Sequence, residues 1–178
     1  MKQLITSLPL VYVKPGEFHF SRHPELIVTI LGSCLAIIMY DIERGICAIS
    51  HSVLPEKSTY ARDPDKNDYK YVDSSIHSML KIFEDHKIPK SRIMVKVFGG
   101  SEQLHNNKRK QDSIGKQNII IAMNLLKKIN LNTVSMDVGG TKGRKIYLSS
   151  HTGEVLLSRL SSIKIVSLDK LKVPGRKV

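Results

Sequence analysis

The chain contains no tryptophan, only two cysteines and no long hydrophobic run. Two cysteines are too few for a disulfide framework, and no signal-peptide pattern is present, so we expect a reducing, cytoplasmic setting. Its apolar runs are far shorter than the roughly 20 residues of a membrane-spanning helix, so no membrane insertion is expected. With 41% hydrophobic residues over 178 positions, the chain is long enough to bury a core without disulfides or metals.

Acidic residues are also scarce. There are 16 Asp and Glu against 28 Lys and Arg, which gives a net charge of +12. Such an excess favours an anionic partner, although scattered, solvated lysines account for much of it. Aromatics make up 6% of the chain, and no zinc-finger, RRM or KH pattern is present, so we expect an acidic protein surface as partner and no nucleic acid.

Sites for cofactors are missing as well. The glycine-rich stretch at 139–144 (GGTKGR) lacks the order of a phosphate-binding loop, and the sequence after it does not read as a helix. The histidines and acidic residues show no metal-ligand spacing. We therefore expect no cofactor and no metal.

The pattern of apolar residues predicts an α+β fold. Helices are expected over 71–87, with an apolar stripe, and after Ser113, with Ile114, Ile121, Leu125 and Ile129 among its apolar positions. Strands are expected on both sides of these helices, which indicates a layered, mostly antiparallel β core with two main helices packed outside. By length, 1–178 is a single domain, with a frayed basic tail at 169–178.

Chemistry concentrates between positions 26 and 55. Residues 35–40 are all apolar, as in a strand covered on both faces, and 46–54 alternate so that His51 shares the more apolar face. The short, charged connection at 41–45 predicts an antiparallel hairpin, and we expect it to place Cys34 opposite His51.

These residues suggest a nucleophilic site. A cysteine beside the Gly32-Ser33 turn could attack a carbonyl, while backbone N–H groups from Gly32 to Cys34 hold the oxyanion. His51 could keep the sulfur as a thiolate, and Thr29 could orient the imidazole. The alternative is that both cysteines are small core residues, which is how we interpret Cys47.

Several segments, in this order and spacing, resemble the chemotaxis CheD family of chemoreceptor glutamine deamidases. They are VT at 28–29, LGSC at 31–34, HSVLP at 51–55, FGG at 98–100, IG at 114–115 with Asn118, and DVGG at 137–140 followed by GR at 143–144. The resemblance extends from about residue 10 to about residue 165. It implies that Cys34 is the nucleophile, His51 the histidine and Thr29 the threonine of that family, in a fold similar to cysteine-dependent toxin deamidases.

The resemblance also implies a function. The chain would be a hydrolase that converts glutamines of methyl-accepting chemotaxis receptors to glutamate through a thioester on Cys34, without a cofactor. Receptor methylesterase activity would be a second function. The partners would be the receptor's helical bundle, which suits the +12 charge if it is acidic, and a CheC-type phosphatase. The alternative is a non-catalytic binding module that docks on chemoreceptors or on such a phosphatase.

Overall fold

The structure is a computed structural model, and it describes residues 8–60, 67–102 and 113–160. These ranges contain two α-helices, α1 (Val72–Asp85) and α2 (Ile114–Lys128). Their strands are β1 (Leu10–Tyr12), β2 (Phe18–Ser21), β3 (Leu26–Leu31), β4 (Leu35–Asp41), β5 (Ile46–Ser52), β6 (Met94–Gly99), β7 (Asn132–Val138), β8 (Arg144–Ser149) and β9 (Val155–Arg159). The tail predicted at 169–178 lies outside the described residues, so the single-domain assignment stays a prediction.

The strands form two sheets. One has the order β1-β3-β8-β9, and the other has the order β2-β5-β4-β6-β7. Neighbouring strands are antiparallel except for the parallel pairs β1–β3 and β6–β7. The predicted, mostly antiparallel β core is therefore confirmed.

Strand β4 separates the two halves of the core and is buried at every position. Leu35 and Ile37 contribute to a core shared with the helices, whereas Ala36 and Ile38 contribute to a core shared with the other sheet. The molecule thus has three layers, in the order sheet, sheet and helices, as the α+β prediction required. Cys47 is fully buried in the core between the sheets, which confirms its interpretation as a core residue.

The two helices pack on the five-stranded sheet. The predicted stripe of α1 is confirmed, and Ser113 caps α2 by accepting a hydrogen bond from the backbone N–H of Lys116 at 3.2 Å. The apolar positions expected from the sequence are half-buried, and Ile121, Leu125 and Ile129 pack against the core beside the sheet. The fully buried face of α2 is formed by Gly115, Asn118, Ala122 and Leu126.

The start of α2 lies very close to the backbone that follows β6. A Cβ on Gly115 would lie 2.8 Å from the carbonyl oxygens of Gly100 and Ser101. Because glycine has no side chain, the first turn of α2 can approach this backbone closely. No helix in the described ranges has the length and apolar character needed to cross a membrane.

Candidate active site

Cys34 lies in the turn between β3 and β4, and its side chain is half-buried against the core between the sheets. The backbone at the end of β6 holds this turn, since Gly100 N–H donates to the Cys34 carbonyl and Ser101 N–H donates to the Gly32 carbonyl, both at 2.8 Å. A Cβ on Gly99 would lie 2.1 Å from the Cys34 carbonyl oxygen. Only glycine allows this approach, so the FGG segment shapes the cysteine turn.

The register of β4 and β5 differs from the predicted one. Ala36 pairs with His51, and Leu35 with Ser52 is the last pair on that side. The prediction that Cys34 lies directly opposite His51 was wrong by two residues, because Asp41 pairs with Ile46 across a four-residue connection, and this register places Ala36 opposite His51. Cys34 follows the face of Ala36 and is diagonal to His51, a relation that corresponds to about 7–8 Å in a regular ladder.

Thr29 and His51 come from different sheets and meet in the core between them. Both are buried, and Thr29 Oγ1 lies 2.8 Å from His51 Nδ1. The Thr29 hydroxyl donates to the Val13 carbonyl at 2.7 Å, which uses its only hydrogen. With the hydroxyl hydrogen on Val13, Nδ1 is the donor to Thr29 Oγ1, and Nε2 is the unprotonated nitrogen of a neutral imidazole. The predicted contact between Thr29 and the imidazole is confirmed.

The free nitrogen of His51 is enclosed. Nε2 is buried, and no described residue hydrogen-bonds to it. The Cys34 thiol therefore makes no hydrogen bond to the imidazole in this state. The two side chains share one face of paired strands, and catalytic hydrogen bonds commonly tighten only when substrate binds.

Burial shifts the pKa of both groups toward the neutral form. It raises the pKa of the Cys34 thiol, and the cysteine's own backbone N–H opposes this only in part. It lowers the pKa of His51, against the Val13 carbonyl and Glu17, which act in the other direction. A neutral thiol beside a neutral imidazole is therefore the favoured resting state, in contrast to the stored thiolate that the sequence suggested.

Known proteins resemble this chain over most of its length. The family model described as CheD chemotactic sensory transduction matches residues 53–159. A probable chemoreceptor glutamine deamidase CheD 2 from Geobacter sulfurreducens is 42% identical over 154 residues, which cover 86% of this chain and 92% of that protein. The chain belongs to the CheD family.

Archaeal CheD proteins are also similar. A probable chemoreceptor glutamine deamidase CheD from Methanococcus maripaludis strain C5 is 38% identical over 154 residues, covering 86% of this chain and 97% of that protein. One from Pyrococcus horikoshii is 32% identical over 157 residues, covering 88% and 96%. The family resemblance inferred from the short motifs is therefore confirmed.

In this CheD-family chain, two polar residues hold the loops around Cys34, and the motif chemistry did not identify them. Asn118 Nδ2 donates to the Ser33 carbonyl at 3.0 Å and to the Val53 carbonyl at 3.1 Å. Arg144 is fully buried and donates to the carbonyls of Gly99, Gly139 and Asp137. A lone polar residue inside an apolar face was the available signal for both.

Arg144 also meets the carboxylate of Asp137. Its Nε lies 3.3 Å from Asp137 Oδ1, yet neither atom has a partner with hydrogen-bond geometry among the described residues, so the contact is an ion pair only. Burial lowers the pKa of Arg144. The main task of the guanidinium is to satisfy the three carbonyls, which fixes the ends of β6 and β7 beside the cysteine turn.

Possible metal sites and a surface cavity were compared with the position of Cys34. Within the described ranges, no three His, Cys, Asp or Glu residues are grouped so that they could hold a metal ion. A surface cavity of about 550 Å³ is lined by residues at the end of α2 and the start of β7, among them Met123, Lys127 and Thr133. Its lining includes none of Thr29, Cys34 and His51, so the candidate chemistry is not in this cavity.

Proposed function

We propose that the chain is a chemoreceptor glutamine deamidase, which hydrolyses glutamine side chains of methyl-accepting chemotaxis receptors to glutamate. The observation that carries the proposal is the buried arrangement of Val13, Thr29 and His51. It holds the imidazole with Nδ1 protonated and Nε2 free, on the strand face that continues to Cys34. The names of the CheD relatives supply the substrate class.

The first half of the reaction forms a thioester. His51 Nε2 takes the proton from the Cys34 thiol as the sulfur attacks the carboxamide carbon of the glutamine. Because burial favours the neutral pair, this transfer accompanies the attack rather than preceding it. No backbone carbonyl within the described ranges accepts from Ser33 or Cys34 N–H. These groups, with Gly32 beside them, are the donors for the oxyanion.

The second half releases the products. The protonated imidazole gives its proton to the amide nitrogen, which leaves as ammonia when the tetrahedral intermediate collapses to the thioester. A water molecule then loses a proton to Nε2 and attacks the thioester carbon. The carbon–sulfur bond breaks, the sulfur is reprotonated, and glutamate leaves. The net change is the exchange of an amide NH₂ for OH, with no oxidation or reduction.

The same site has further candidate roles. A methyl ester would form the same thioester with methanol as the leaving group, so receptor methylesterase activity is a second candidate reaction. The net charge of +12 suits an acidic helical bundle as the receptor surface. A CheC-type phosphatase stays a prediction from the family resemblance. The alternative hypothesis is a binding module that docks on chemoreceptors or on such a phosphatase without catalysis.

Mass spectrometry of a purified receptor cytoplasmic fragment tests the proposal. The wild-type protein is expected to add about one mass unit per converted glutamine, the difference between NH₂ and OH expected of the acyl-enzyme route. Cys47→Ala is the matched control, because it removes the other cysteine and leaves the site intact. Conversion by the wild type and by Cys47→Ala, but not by Cys34→Ala, is the expected result. Binding of the fragment without any conversion would favour the binding module.

A further inference from the structure

Asn118 is a buried amide in the face of α2 that packs against the five-stranded sheet, and none of its surface is exposed. The other fully buried residues of this face are a glycine, an alanine and a leucine. An amide in such surroundings costs free energy unless its polar atoms are hydrogen-bonded. A buried asparagine at this position therefore indicates a role that depends on the polar atoms of its side chain.

The amide nitrogen of Asn118 joins two segments of the candidate active site. It lies 3.0 Å from the carbonyl of Ser33, directly before Cys34, and 3.1 Å from the carbonyl of Val53, two residues after His51. The Oδ1 atom is buried and has no hydrogen-bond partner among the described residues. The two donated bonds are thus what the side chain contributes, at the cost of an unsatisfied oxygen.

This bridge lies where strand pairing has ended. The last β4–β5 pair on this side is Leu35 with Ser52, and the Val53 N–H donates to the Lys70 carbonyl at 2.8 Å instead of continuing the ladder. The ladder therefore does not set the position of the cysteine turn relative to the end of β5. Asn118 spans this gap and links the turn to the strand that carries His51.

The bond to Ser33 also orients the next N–H group. The Ser33 carbonyl and the Cys34 N–H belong to one planar trans peptide unit, in which they point in opposite directions. Because Asn118 draws the carbonyl toward α2, the N–H points to the other side, where the Cys34 side chain packs against the core between the sheets. There the N–H lowers the pKa of the cysteine's own thiol, which offsets part of the effect of burial.

We propose that Asn118 is a positioning residue that sets the orientation of the Cys34 N–H through the Ser33 carbonyl, and so controls both thiol reactivity and the oxyanion donor. The catalytic consequence rests on the function proposed above. The effect on the thiol does not, because any reaction of the sulfur senses this N–H.

Alkylation of Cys34 by iodoacetamide, measured against pH and read by peptide mass spectrometry, tests the thiol. Asn118→Leu keeps the branching of the side chain and removes both donors, whereas Asn118→Ser keeps one hydroxyl donor on a shorter side chain. A hydrogen bond to the sulfur stabilises the thiolate, so Asn118→Leu should raise the apparent pKa of Cys34. If that pKa rises by about one, alkylation at a pH well below the wild-type pKa becomes about tenfold slower. Asn118→Ser should change the pKa less, in the same direction.

Deamidation of the receptor fragment gives the second readout. Asn118→Leu should lower kcat about tenfold to a hundredfold with KM within about twofold, because an oxyanion donor acts in the transition state and not on bound substrate. Ser75→Ala is the control. Ser75 is a buried polar residue on α1 whose hydroxyl hydrogen-bonds Ser52 at the end of β5 and the Tyr69 carbonyl, and neither partner belongs to the cysteine turn. Its removal should lower stability and leave the pH profile of Cys34 unchanged.

Each outcome decides the proposal. If Asn118→Leu loses stability but keeps the pH profile and kcat of Ser75→Ala, Asn118 is merely structural and the proposal is overturned. If Asn118→Leu does not fold, the serine variant decides, and a wild-type alkylation profile there overturns the proposal. Should the wild type fail to deamidate the fragment while Asn118 still controls Cys34 alkylation, the proposed function fails and the positioning role stands.

Discussion

Replacing Thr29 with valine removes one hydroxyl from the contact between β3 and β5 and preserves the shape of the side chain. The hydroxyl takes part in two hydrogen bonds, one donated to the Val13 carbonyl at 2.7 Å and one accepted from His51 Nδ1 at 2.8 Å. The two groups left behind are a donor and an acceptor that already lie 3.4 Å apart. A small movement of the imidazole would let them pair with each other.

The size of the effect follows from this rearrangement. Two hydrogen bonds are replaced by one, so the free energy of unfolding should fall by about 1 kcal/mol, the net contribution of one such bond. If the two groups could not pair, each would remain buried and unsatisfied, and the loss would be about 2–6 kcal/mol. Thr29→Ser is the matched control, because it keeps both hydrogen bonds and loses one buried methyl group, which also costs about 1 kcal/mol.

Activity should separate these two variants where stability does not. In Thr29→Val the imidazole moves toward Val13, which displaces Nε2 from Cys34, and kcat should fall about tenfold, since a displacement of about 1 Å can cost a hundredfold. Thr29→Ser should keep nearly wild-type kcat. Denaturant unfolding and deamidation of the receptor fragment measure both quantities. Equal kcat in the two variants, or a stability loss above about 3 kcal/mol in Thr29→Val alone, would refute this account of the imidazole.

Three further predictions concern the thiols, the buried arginine and pH. At about pH 8 iodoacetamide should label Cys34 and spare Cys47, because only a thiolate reacts and burial raises the pKa of Cys47 to about 12. Preferential labelling of Cys47 in peptide mass spectra would contradict the assignment of Cys34 as the reactive thiol. Arg144→Met should lower the free energy of unfolding, measured by denaturant titration, by about 3–5 kcal/mol, as expected when one partner of a buried ionic network is removed. A loss below about 1 kcal/mol would show that the three carbonyls find other donors. The pKa read from the acidic limb of the pH profile of kcat/KM should lie below the ordinary range of histidine, because burial lowers the pKa of His51 and activity persists until the imidazole is protonated. A pKa above that range would indicate an imidazolium stabilised by a charged partner.

Periodicity predicted the parts of the fold that depend on local pattern. The all-apolar run that became β4 and the alternation that became β5 both predicted the correct faces, because a strand repeats every two residues. The division into two sheets could not be predicted in this way. β1 and β2 are separated by one short turn, yet they join different sheets and pair with β3 and β5. Such partners are distant in sequence, and local pattern contains no information on them.

The site shows the same limit. The residue types of Cys34, His51 and Thr29 indicated their chemistry, and the contact between Thr29 and His51 was predicted correctly. The register was not, because it depends on how many residues the β4–β5 connection uses. Asn118 and Arg144 act through backbone carbonyls from other parts of the chain. A polar residue in an apolar face indicated that each is unusual, but the sequence could not identify the carbonyls that they bind. The similarity to cysteine-dependent toxin deamidases stays a prediction.

The most direct test of the central claim is the rate at which the receptor fragment gains mass with four proteins: wild type, Cys34→Ala, His51→Ala and the double mutant. Cys34 and His51 act as one unit in the proposed reaction, so each single substitution should abolish conversion, and the double mutant should be scarcely slower than either. Circular dichroism of all four proteins should show an intact fold. Deamidation at the wild-type rate by Cys34→Ala would contradict the claim that Cys34 is the nucleophile, and the hypothesis of a binding module would replace it.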